Sequence, residues 1–368
     1  MKLIILLLCS SVFASTGALN TDAYLSVLKD KNIAVVVNQT SVHSNVHLID
    51  FLLAKDIKIS KIFALEHGVR GQIDAGSDVG DTIDAETGIP IISLYGKYKQ
   101  PQRKDLESVD IILFDIQDLG VRFYTYITSL KFILNACSEF EKTCIVLDRG
   151  NPFVNTVSGP VLDMKLSSFV GSLPIPITYG LTIGELALMM KGEKWVKTPL
   201  KLIVVPIKDW KRTESKVLPI KPSPNLPDEK SIELYPSLAA FEGTNISVGR
   251  GTKRPFTVLG HPLIKKTFSF TPVSIPGMSS SPLHENEKCF GFDLSKEKVD
   301  GFSLKYLARV IKLRNDMVKH PSFFNKLIGV EYVLKDLRNG LPIDKIANKW
   351  KSSLDKFNIK KQRYIIYE

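Results

Sequence analysis

Cysteine is scarce in this sequence, with four residues in 368. Cys9 lies in an apolar amino-terminal run, so an odd set of three remains for the fold. A small secreted protein that depends on disulfides carries a denser and usually even set. The sequence therefore excludes a disulfide framework. Cys137 falls in a helical pattern and Cys144 in a strand pattern, and we expect both to be small core residues.

Long hydrophobic runs are missing after the amino terminus, so no later segment is predicted to span a bilayer. At the terminus, Lys2 precedes six apolar residues (3–8), and small residues follow. This pattern is typical of a secretory signal peptide. Cleavage after Ala14 fits best and cleavage after Ala18 second, and we assign residues 1–18 to the signal. We expect an exported protein, periplasmic or secreted, without membrane insertion. Lipidation at Cys9 is disfavoured because Leu8 is a poor residue before a lipidated cysteine.

Several motifs of common chemistries are also missing. His43 and His47 are four residues apart, but no third ligand is near in sequence, so no metal site is predicted. The first strand is not followed by the Gly-x-Gly-x-x-Gly turn of dinucleotide-binding proteins. No serine lies in a Gly-x-Ser-x-Gly elbow. The formal charge of +11 suits an acidic partner, but zinc-finger and RNA-binding signatures are absent, which disfavours nucleic acid.

What the sequence does contain is an alternation of apolar strand patterns with helical patterns. A mostly parallel sheet covered on both faces is the expected result, and a proline-rich stretch, residues 219–227, would lead out of it. We therefore predict an α/β domain over 19–227 and a smaller α+β domain over 228–368 that ends in a strand at 364–367. The predicted strands of the sheet are 33–37, 62–65, 91–95, 111–114, 144–147 and 200–206.

Acidic residues follow three of these strands: Glu66 with His67, Asp115 with Asp118, and Asp148 with Arg149. Carboxyl ends of parallel strands meet at one edge of a sheet, where ligands bind. One such cluster carries little information, and Glu66 could form a structural ion pair with Arg70. Three clusters on one edge predict a site.

Two further stretches carry polar side chains. Thr182 and Glu185 have the spacing of a helix capping box, which gives Glu185 a structural explanation and ranks it below Glu66 as an acid. In the second half, Arg250 lies between two glycines, so its guanidinium is expected to contact an anion. Glu242 and Asn245 precede it and offer further polar contacts.

Taken in order, these motifs resemble those of the NamZ-type exo-β-N-acetylmuramidases, over a range from about residue 33 to the carboxyl terminus. The matching blocks are Glu66-His67-Gly68 with Arg70-Gly71, the run from Asp115 to Tyr126, Asp148-Arg149 with Asn151-Pro152, Tyr179-Gly180-Leu181-Thr182 with Gly184-Glu185, Pro222-Ser223-Pro224-Asn225, and the run from Glu242 to Thr252.

The resemblance implies a Rossmann-like first domain, an auxiliary second domain, export and no cofactor. The implied activity is removal of terminal non-reducing β-N-acetylmuramic acid from peptidoglycan fragments. Glu66 would be the general acid, since glycoside hydrolysis needs a proton donor for the leaving oxygen, and His67 would orient it or contact the sugar. Asp115 is our first choice as its partner, with Asp118, Asp148 and Glu242 also open. The substrate's own 2-acetamido group could replace a protein nucleophile.

Substrate contacts are assigned in the same way. Arg70, Arg122 and Arg250 are candidates for the lactyl carboxylate of muramic acid, because guanidinium forks match carboxylates. Tyr124 and Tyr126 are expected to form a stacking wall for the sugar, with the alternative that one of them is a core residue. The remaining predicted substrate-binding residues are Gln117, Asp118, Asp148, Arg149, Tyr179, Glu185, Glu242 and Asn245.

Two rival functions are considered. A non-catalytic protein could capture muropeptides in the same cleft. An esterase or amidase on the same substrate has little support, because neither a nucleophile elbow nor a metal set is present.

Overall fold

The computed structural model describes residues 16–66, 68–69, 80–214 and 217–368. Strands and helices alternate through the first two thirds of the chain, and helices dominate the last third. The strands are β1 (Ile33–Val37), β2 (Val42–His43), β3 (Val46–His47), β4 (Ile59–Ala64), β5 (Thr82–Ile83), β6 (Pro90–Ser93), β7 (Ile111–Asp115), β8 (Thr143–Leu147), β9 (Val157–Ser158), β10 (Thr178–Tyr179), β11 (Lys201–Val205), β12 (Val258–His261), β13 (Ser269–Phe270) and β14 (Cys289–Asp293).

The α-helices lie between and after these strands. They are α1 (Leu25–Leu28), α2 (Leu48–Leu53), α3 (Arg103–Leu106), α4 (Tyr126–Glu139), α5 (Ile183–Gly192), α6 (Glu229–Leu238), α7 (Lys305–Leu313), α8 (Pro321–Ile328), α9 (Tyr332–Arg338) and α10 (Ile343–Lys361).

Seven strands form the main sheet, in the order β11-β8-β7-β1-β4-β6-β5. All neighbours are parallel except β5, which pairs antiparallel with β6. The chain leaves β1 for β4 on one side and later returns to β7 on the other. The strand order therefore reverses at β1, and open α/β sheets bind ligands at such a switch point. The sequence analysis predicted this parallel sheet, and the structure confirms it.

Both faces of the sheet are buried, as its β-branched strand sequences predict. Along β1, Ala34 and Val36 face a large apolar cluster that continues into the second domain. Ile33, Val35 and Val37 face a smaller cluster that includes residues of α1 and α2. Cys137 and Cys144 are both fully buried in the larger cluster, as predicted.

The second domain contains a three-stranded antiparallel sheet, in the order β12-β14-β13, and the helices α6 to α10. This confirms a smaller α+β unit. The predicted closing strand at 364–367 is wrong, because α10 is followed by a 3-10 turn, Gln362–Tyr364, and the tail then packs on the first domain. There the amide of Ile366 donates to Oε1 of Glu185 at 3.0 Å, so side chains rather than a neighbouring strand satisfy the tail.

The amino-terminal end of the described chain belongs to the fold. The amide of Gly17 donates to the carbonyl of Asp148 at 2.7 Å, and Ala18 is fully buried in the smaller cluster. The segment predicted as a signal thus overlaps the folded domain at residues 16–18, while residues 1–15 lie outside the described part. Among the described helices, none has both the length and the apolar character needed to cross a membrane.

Candidate active site

Glu66 lies two residues beyond β4, at the carboxyl edge of the sheet, and is half-buried. Its Oε2 accepts a hydrogen bond from the Thr125 hydroxyl at 2.7 Å, and its Oε1 accepts one from the Tyr95 hydroxyl at 3.1 Å. Tyr126 donates to the Glu66 carbonyl at 3.2 Å. Strand β4, the segment after β6 and the start of α4 therefore all position this carboxyl group. His67 and Arg70, predicted beside it, lie outside the described residues.

Asp115, at the end of β7, has a different environment. Its carboxylate is fully buried and accepts two parallel hydrogen bonds from Arg149, from Nε at 2.6 Å and from Nη2 at 2.8 Å. This fork is the strongest geometry for an arginine and a carboxylate. The pair links the ends of β7 and β8, and its burial argues against direct contact of either residue with a substrate.

Asp118 and Tyr179 form a second buried pair below the edge. The Tyr179 hydroxyl and the Gly120 amide both donate to Oδ2 of Asp118. Oδ1 has no hydrogen-bond partner among the described residues. Desolvation raises the pKa of Asp118 to about 6, against the opposing effect of these hydrogen bonds. Neighbouring Gln117 connects this loop to the loop after β8, because its side-chain nitrogen Nε2 donates to the Gly150 carbonyl at 2.7 Å.

Asp148, which follows β8, receives four hydrogen bonds. Oδ1 accepts from the amides of Arg149 and Gly184, at 2.8 and 2.7 Å, and Oδ2 accepts from the hydroxyls of Thr182 and Tyr367, at 2.7 and 2.5 Å. Burial still raises its pKa to about 6. The carboxylate thus holds β8, the first turn of α5 and the carboxyl-terminal tail together, which is a structural role.

Glu185 is also structural. The predicted capping box with Thr182 is present, and both carboxylate oxygens accept from Nη1 of Arg212 at 2.7 Å. The side chain is fully buried. The structure therefore does not bring Glu185 to a surface where a substrate could bind.

The prediction that Arg122 binds a substrate carboxylate is wrong. Its guanidinium is fully buried and donates to four backbone carbonyls, those of Pro160, Ile175, Leu327 and Ile328, at 2.7 to 3.0 Å. Burial without a carboxylate lowers the pKa of Arg122 to about 9. Arg122 joins the two domains, since Leu327 and Ile328 belong to α8.

The stacking wall predicted from Tyr124 and Tyr126 is also wrong. These rings are 8% and 2% exposed and pack edge to face, with their centroids 5.0 Å apart. Tyr235 of the second domain, 9% exposed, packs against Tyr124. Their ring faces contact other protein side chains, so they form an aromatic core beneath Glu66.

The second domain contributes Glu242 and Arg250. Oε1 of Glu242 accepts from Nε of Arg250 at 2.6 Å, and each side chain is about a quarter exposed, at 27% and 26%. Desolvation would lower the pKa of Arg250, but the charges of Glu242, Tyr235 and Glu66 raise it above its ordinary value. Among the described residues, only Nε of this guanidinium is hydrogen-bonded. Nearby along the loop, Oδ1 of Asn245 is buried without a partner in the described chain.

Most of the predicted site residues fall into two sets. Glu66, Glu242 and Arg250 are partly exposed and electrostatically coupled across the two domains. The second set is buried and polar: Asp115, Gln117, Asp118, Arg122, Asp148, Arg149, Tyr179 and Glu185. Within the described residues, no group of three or more metal-ligating side chains is found.

Sequence reasoning missed Thr125 and Tyr95, whose hydroxyls donate to Glu66. Tyr95 is the last residue of a predicted parallel strand (91–95), so the rule that selected Glu66, if extended to strand ends, could have found it. Thr125 stands between two tyrosines in a run that was assigned to sugar contacts, and the pattern gave no reason to separate it from them.

A further concavity of about 750 Å³ lies beside the crossover between the domains. Residues of the crossover, of α6 and of the loop before α7 line it, including Phe153, Leu218 and Ile232. None of the predicted site residues that the structure describes is among the lining residues.

Comparisons with known proteins agree with the geometry. The family models described as exo-beta-N-acetylmuramidase NamZ, N-terminal and C-terminal, match residues 33–230 and 233–367. The chain is 37% identical to the peptidoglycan beta-N-acetylmuramidase NamZ of Bacillus subtilis, over 94% of this chain and 89% of that protein.

Two crystal structures of DUF1343 family proteins from Bacteroides fragilis have the same fold. The first has a TM-score of 0.88 at 41% identity and covers 97% of this chain and 99% of its own. The second has a TM-score of 0.84 at 27% identity and covers 96% and 99%. With both family models matched across nearly its whole length, the chain belongs to the exo-β-N-acetylmuramidase NamZ family.

Proposed function

We propose that this glycoside hydrolase removes terminal non-reducing β-N-acetylmuramic acid from peptidoglycan fragments and that Glu66 is its general acid. The observation that carries the proposal is the position of Glu66. It is partly exposed at the switch point of the sheet, while the other strand-end carboxylates, Asp115 and Asp148, are fully buried. A proton donor must touch the glycosidic oxygen, and only an exposed carboxyl group can do so.

The hydroxyls of Thr125 and Tyr95 would keep the Glu66 carboxyl group aimed at that oxygen. In the first step, protonated Glu66 gives its proton to the glycosidic oxygen as the bond to C1 breaks, and the leaving sugar departs as an alcohol. In the second step, the Glu66 carboxylate takes a proton from a water that attacks C1. Glu66 is then protonated again, which closes the cycle.

The group that stabilises C1 between these steps is the substrate's 2-acetamido oxygen in our proposal. Asp115 and Asp148 are fully buried, so neither carboxylate can reach C1 of a bound sugar. Asp118 is fully buried, and Glu242 is paired with Arg250. An acetamido oxygen can attack C1 to form an oxazolinium ion, which water then opens. This route requires no protein nucleophile.

Arg250 is the proposed contact for the lactyl carboxylate. The guanidinium groups of Arg122, Arg149 and Arg212 are buried against carbonyls or carboxylates. Among the described residues the two terminal nitrogens of Arg250 make no hydrogen bond, and Arg250 is coupled electrostatically to Glu66. A fork of two donors suits a carboxylate, and this contact would distinguish muramic acid from glucosamine.

The test is release of sugar from a disaccharide of N-acetylmuramic acid β-linked to N-acetylglucosamine. We expect wild type to cleave it and Glu66→Gln to be slower by a hundredfold or more, in the range of general acid catalysis. Glu107→Gln, which changes an exposed glutamate elsewhere on the surface, is the matched control. Binding of the disaccharide without cleavage by wild type would instead support a muropeptide-binding protein.

Export is part of the proposal, with cleavage after Ala14. Cleavage after Ala18 would remove Gly17 and Ala18, which are packed in the fold. Even a methyl group at Gly17 would lie 2.5 Å from the Asp148 amide nitrogen. Intact mass measurement of the exported protein would therefore find Ser15 as the first residue. A mature protein that begins at Leu19 would overturn this assignment.

A further inference from the structure

A second group of aromatic side chains begins at Tyr95, whose hydroxyl donates to Glu66. We call Tyr95, Phe169 and Phe132 the aromatic strip. The ring centroids of Tyr95 and Phe169 are 5.8 Å apart, and those of Phe169 and Phe132 are 6.4 Å apart with nearly parallel planes. All three side chains are half-buried. The strip therefore presents aromatic carbon at the surface, unlike the core of Tyr124, Tyr126 and Tyr235.

The strip begins at the proposed acid. The Tyr95 hydroxyl donates to Oε1 of Glu66 at 3.1 Å, and Phe132 lies on α4, whose first turn follows the other donor, Thr125. The elements that position the acid thus also position the rings of Tyr95 and Phe132.

The chemistry of the acid determines which part of the substrate lies there. A general acid contacts the glycosidic oxygen, which belongs to the leaving sugar after cleavage. The leaving sugar must therefore begin within hydrogen-bond distance of Glu66. Tyr95 is partly exposed, and its hydroxyl is hydrogen-bonded to the same carboxyl group. The leaving sugar would therefore lie close to the Tyr95 ring.

Lys99 adds a polar group to the strip. Its ammonium lies 4.0 Å from the centroid of the Tyr95 ring and 4.6 Å from that of Phe169. Cation–π attraction to two rings places this donor at the strip. Rings next to an ammonium suit a sugar, which has apolar C–H faces and hydroxyl oxygens around its rim.

We propose that the aromatic strip and Lys99 form the binding subsite for the sugar that leaves, an N-acetylglucosamine residue on the reducing side of the cleaved bond. The rings contact the C–H face of this sugar, and Lys99 donates to its hydroxyl oxygens. The inference rests on the proposed function, because the leaving sugar is defined by the position of the acid.

The experiment compares two substrates of the full chain: the disaccharide, and the methyl β-glycoside of N-acetylmuramic acid, which has no leaving sugar. For Phe169→Ala, the ratio of kcat/KM for the disaccharide to kcat/KM for the methyl glycoside should fall about tenfold, equivalent to about 1.4 kcal/mol. Most of the change should be in KM. Phe169→Tyr, which retains a ring, should restore the ratio.

Binding provides a second measurement that does not depend on turnover. N-acetylglucosamine should inhibit wild type as a product, and its inhibition constant should rise about tenfold in Phe169→Ala. Equal losses on the two substrates, together with an unchanged inhibition constant, would overturn the subsite and leave the proposed function intact. If wild type cleaves neither substrate, the proposed function itself fails, and with it the basis of this inference.

Discussion

Two carboxylates at the same edge of one sheet have opposite surroundings. Glu66 follows β4, is half-buried and accepts hydrogen bonds from the hydroxyls of Thr125 and Tyr95. Asp115 ends β7, is fully buried and is held by the charged fork of Arg149. The two strands are separated only by β1. A strand-end acid is therefore a site residue only where the loops above it leave it partly open to a ligand.

The largest expected effect is the loss of stability on removing the buried carboxylate of Asp115. Asp115→Ala leaves the Arg149 guanidinium buried without its carboxylate, which typically costs about 3–5 kcal/mol of unfolding free energy. Glu66→Gln should change that free energy by less than about 1 kcal/mol, because the site is partly exposed. Chemical denaturation of both variants measures this. Equal losses of unfolding free energy would show that the two carboxylates contribute equally to stability, which would contradict the comparison.

Removing the proposed carboxylate receptor should have a smaller effect, on activity rather than on stability. Arg250→Met should lower kcat/KM for the muramic acid disaccharide about thirtyfold, since a hydrogen bond to a charged group contributes about 1.5–3 kcal/mol. A substrate that lacks the lactyl group should lose much less. Arg254→Met, which removes a more exposed ion pair with Asp293, is the control. A similar loss from both variants would remove Arg250 from the recognition of the carboxylate.

The smallest effect concerns the buried polar set. Burial raises the pKa of Asp118 to about 6, above its ordinary value of 3.8. Between these pH values the folded state holds the proton more tightly than the unfolded state, so this group's contribution to stability falls as the pH rises from about 4 to 6. Asp118→Asn should remove that contribution.

The measurement is the unfolding free energy of wild type minus that of Asp118→Asn as a function of pH. The difference should decline through this range with a slope of at most about 1.4 kcal/mol per pH unit, the value for one proton. A difference that does not vary with pH would contradict a proton held on Asp118.

The sequence predicted the sheet well because its signal is local. β-branched runs such as residues 33–37 indicate buried strands wherever they occur, and the alternation with helices sets the parallel order. The same reasoning failed at residues 364–367. Their apolar pattern suits a strand, but the tail's partners are Glu185 and Asp148, distant in sequence.

The candidate site was predictable in position but not in detail. Residue type and strand position brought together Glu66, Asp115 and Asp148, and only the three-dimensional packing shows which of these carboxylates is exposed. Arg122 illustrates the limit: a guanidinium that could bind a carboxylate is instead used to join two domains through backbone carbonyls. Tyr124 and Tyr126 were misassigned for the same reason, because Tyr124 packs against Tyr235 from the second domain and Tyr126 packs against Tyr124.

The most direct test of the account compares Glu66→Gln with wild type on two leaving groups. In the disaccharide the leaving group is the N-acetylglucosamine alkoxide, a poor leaving group that needs a proton. In a 2,4-dinitrophenyl glycoside of N-acetylmuramic acid the leaving group is dinitrophenolate, a stable anion that needs none. If Glu66 is the general acid, the variant should lose a hundredfold or more in kcat/KM on the disaccharide and at least tenfold less on the dinitrophenyl glycoside. The same loss on both substrates, or no loss on either, would show that Glu66 does not protonate the leaving group.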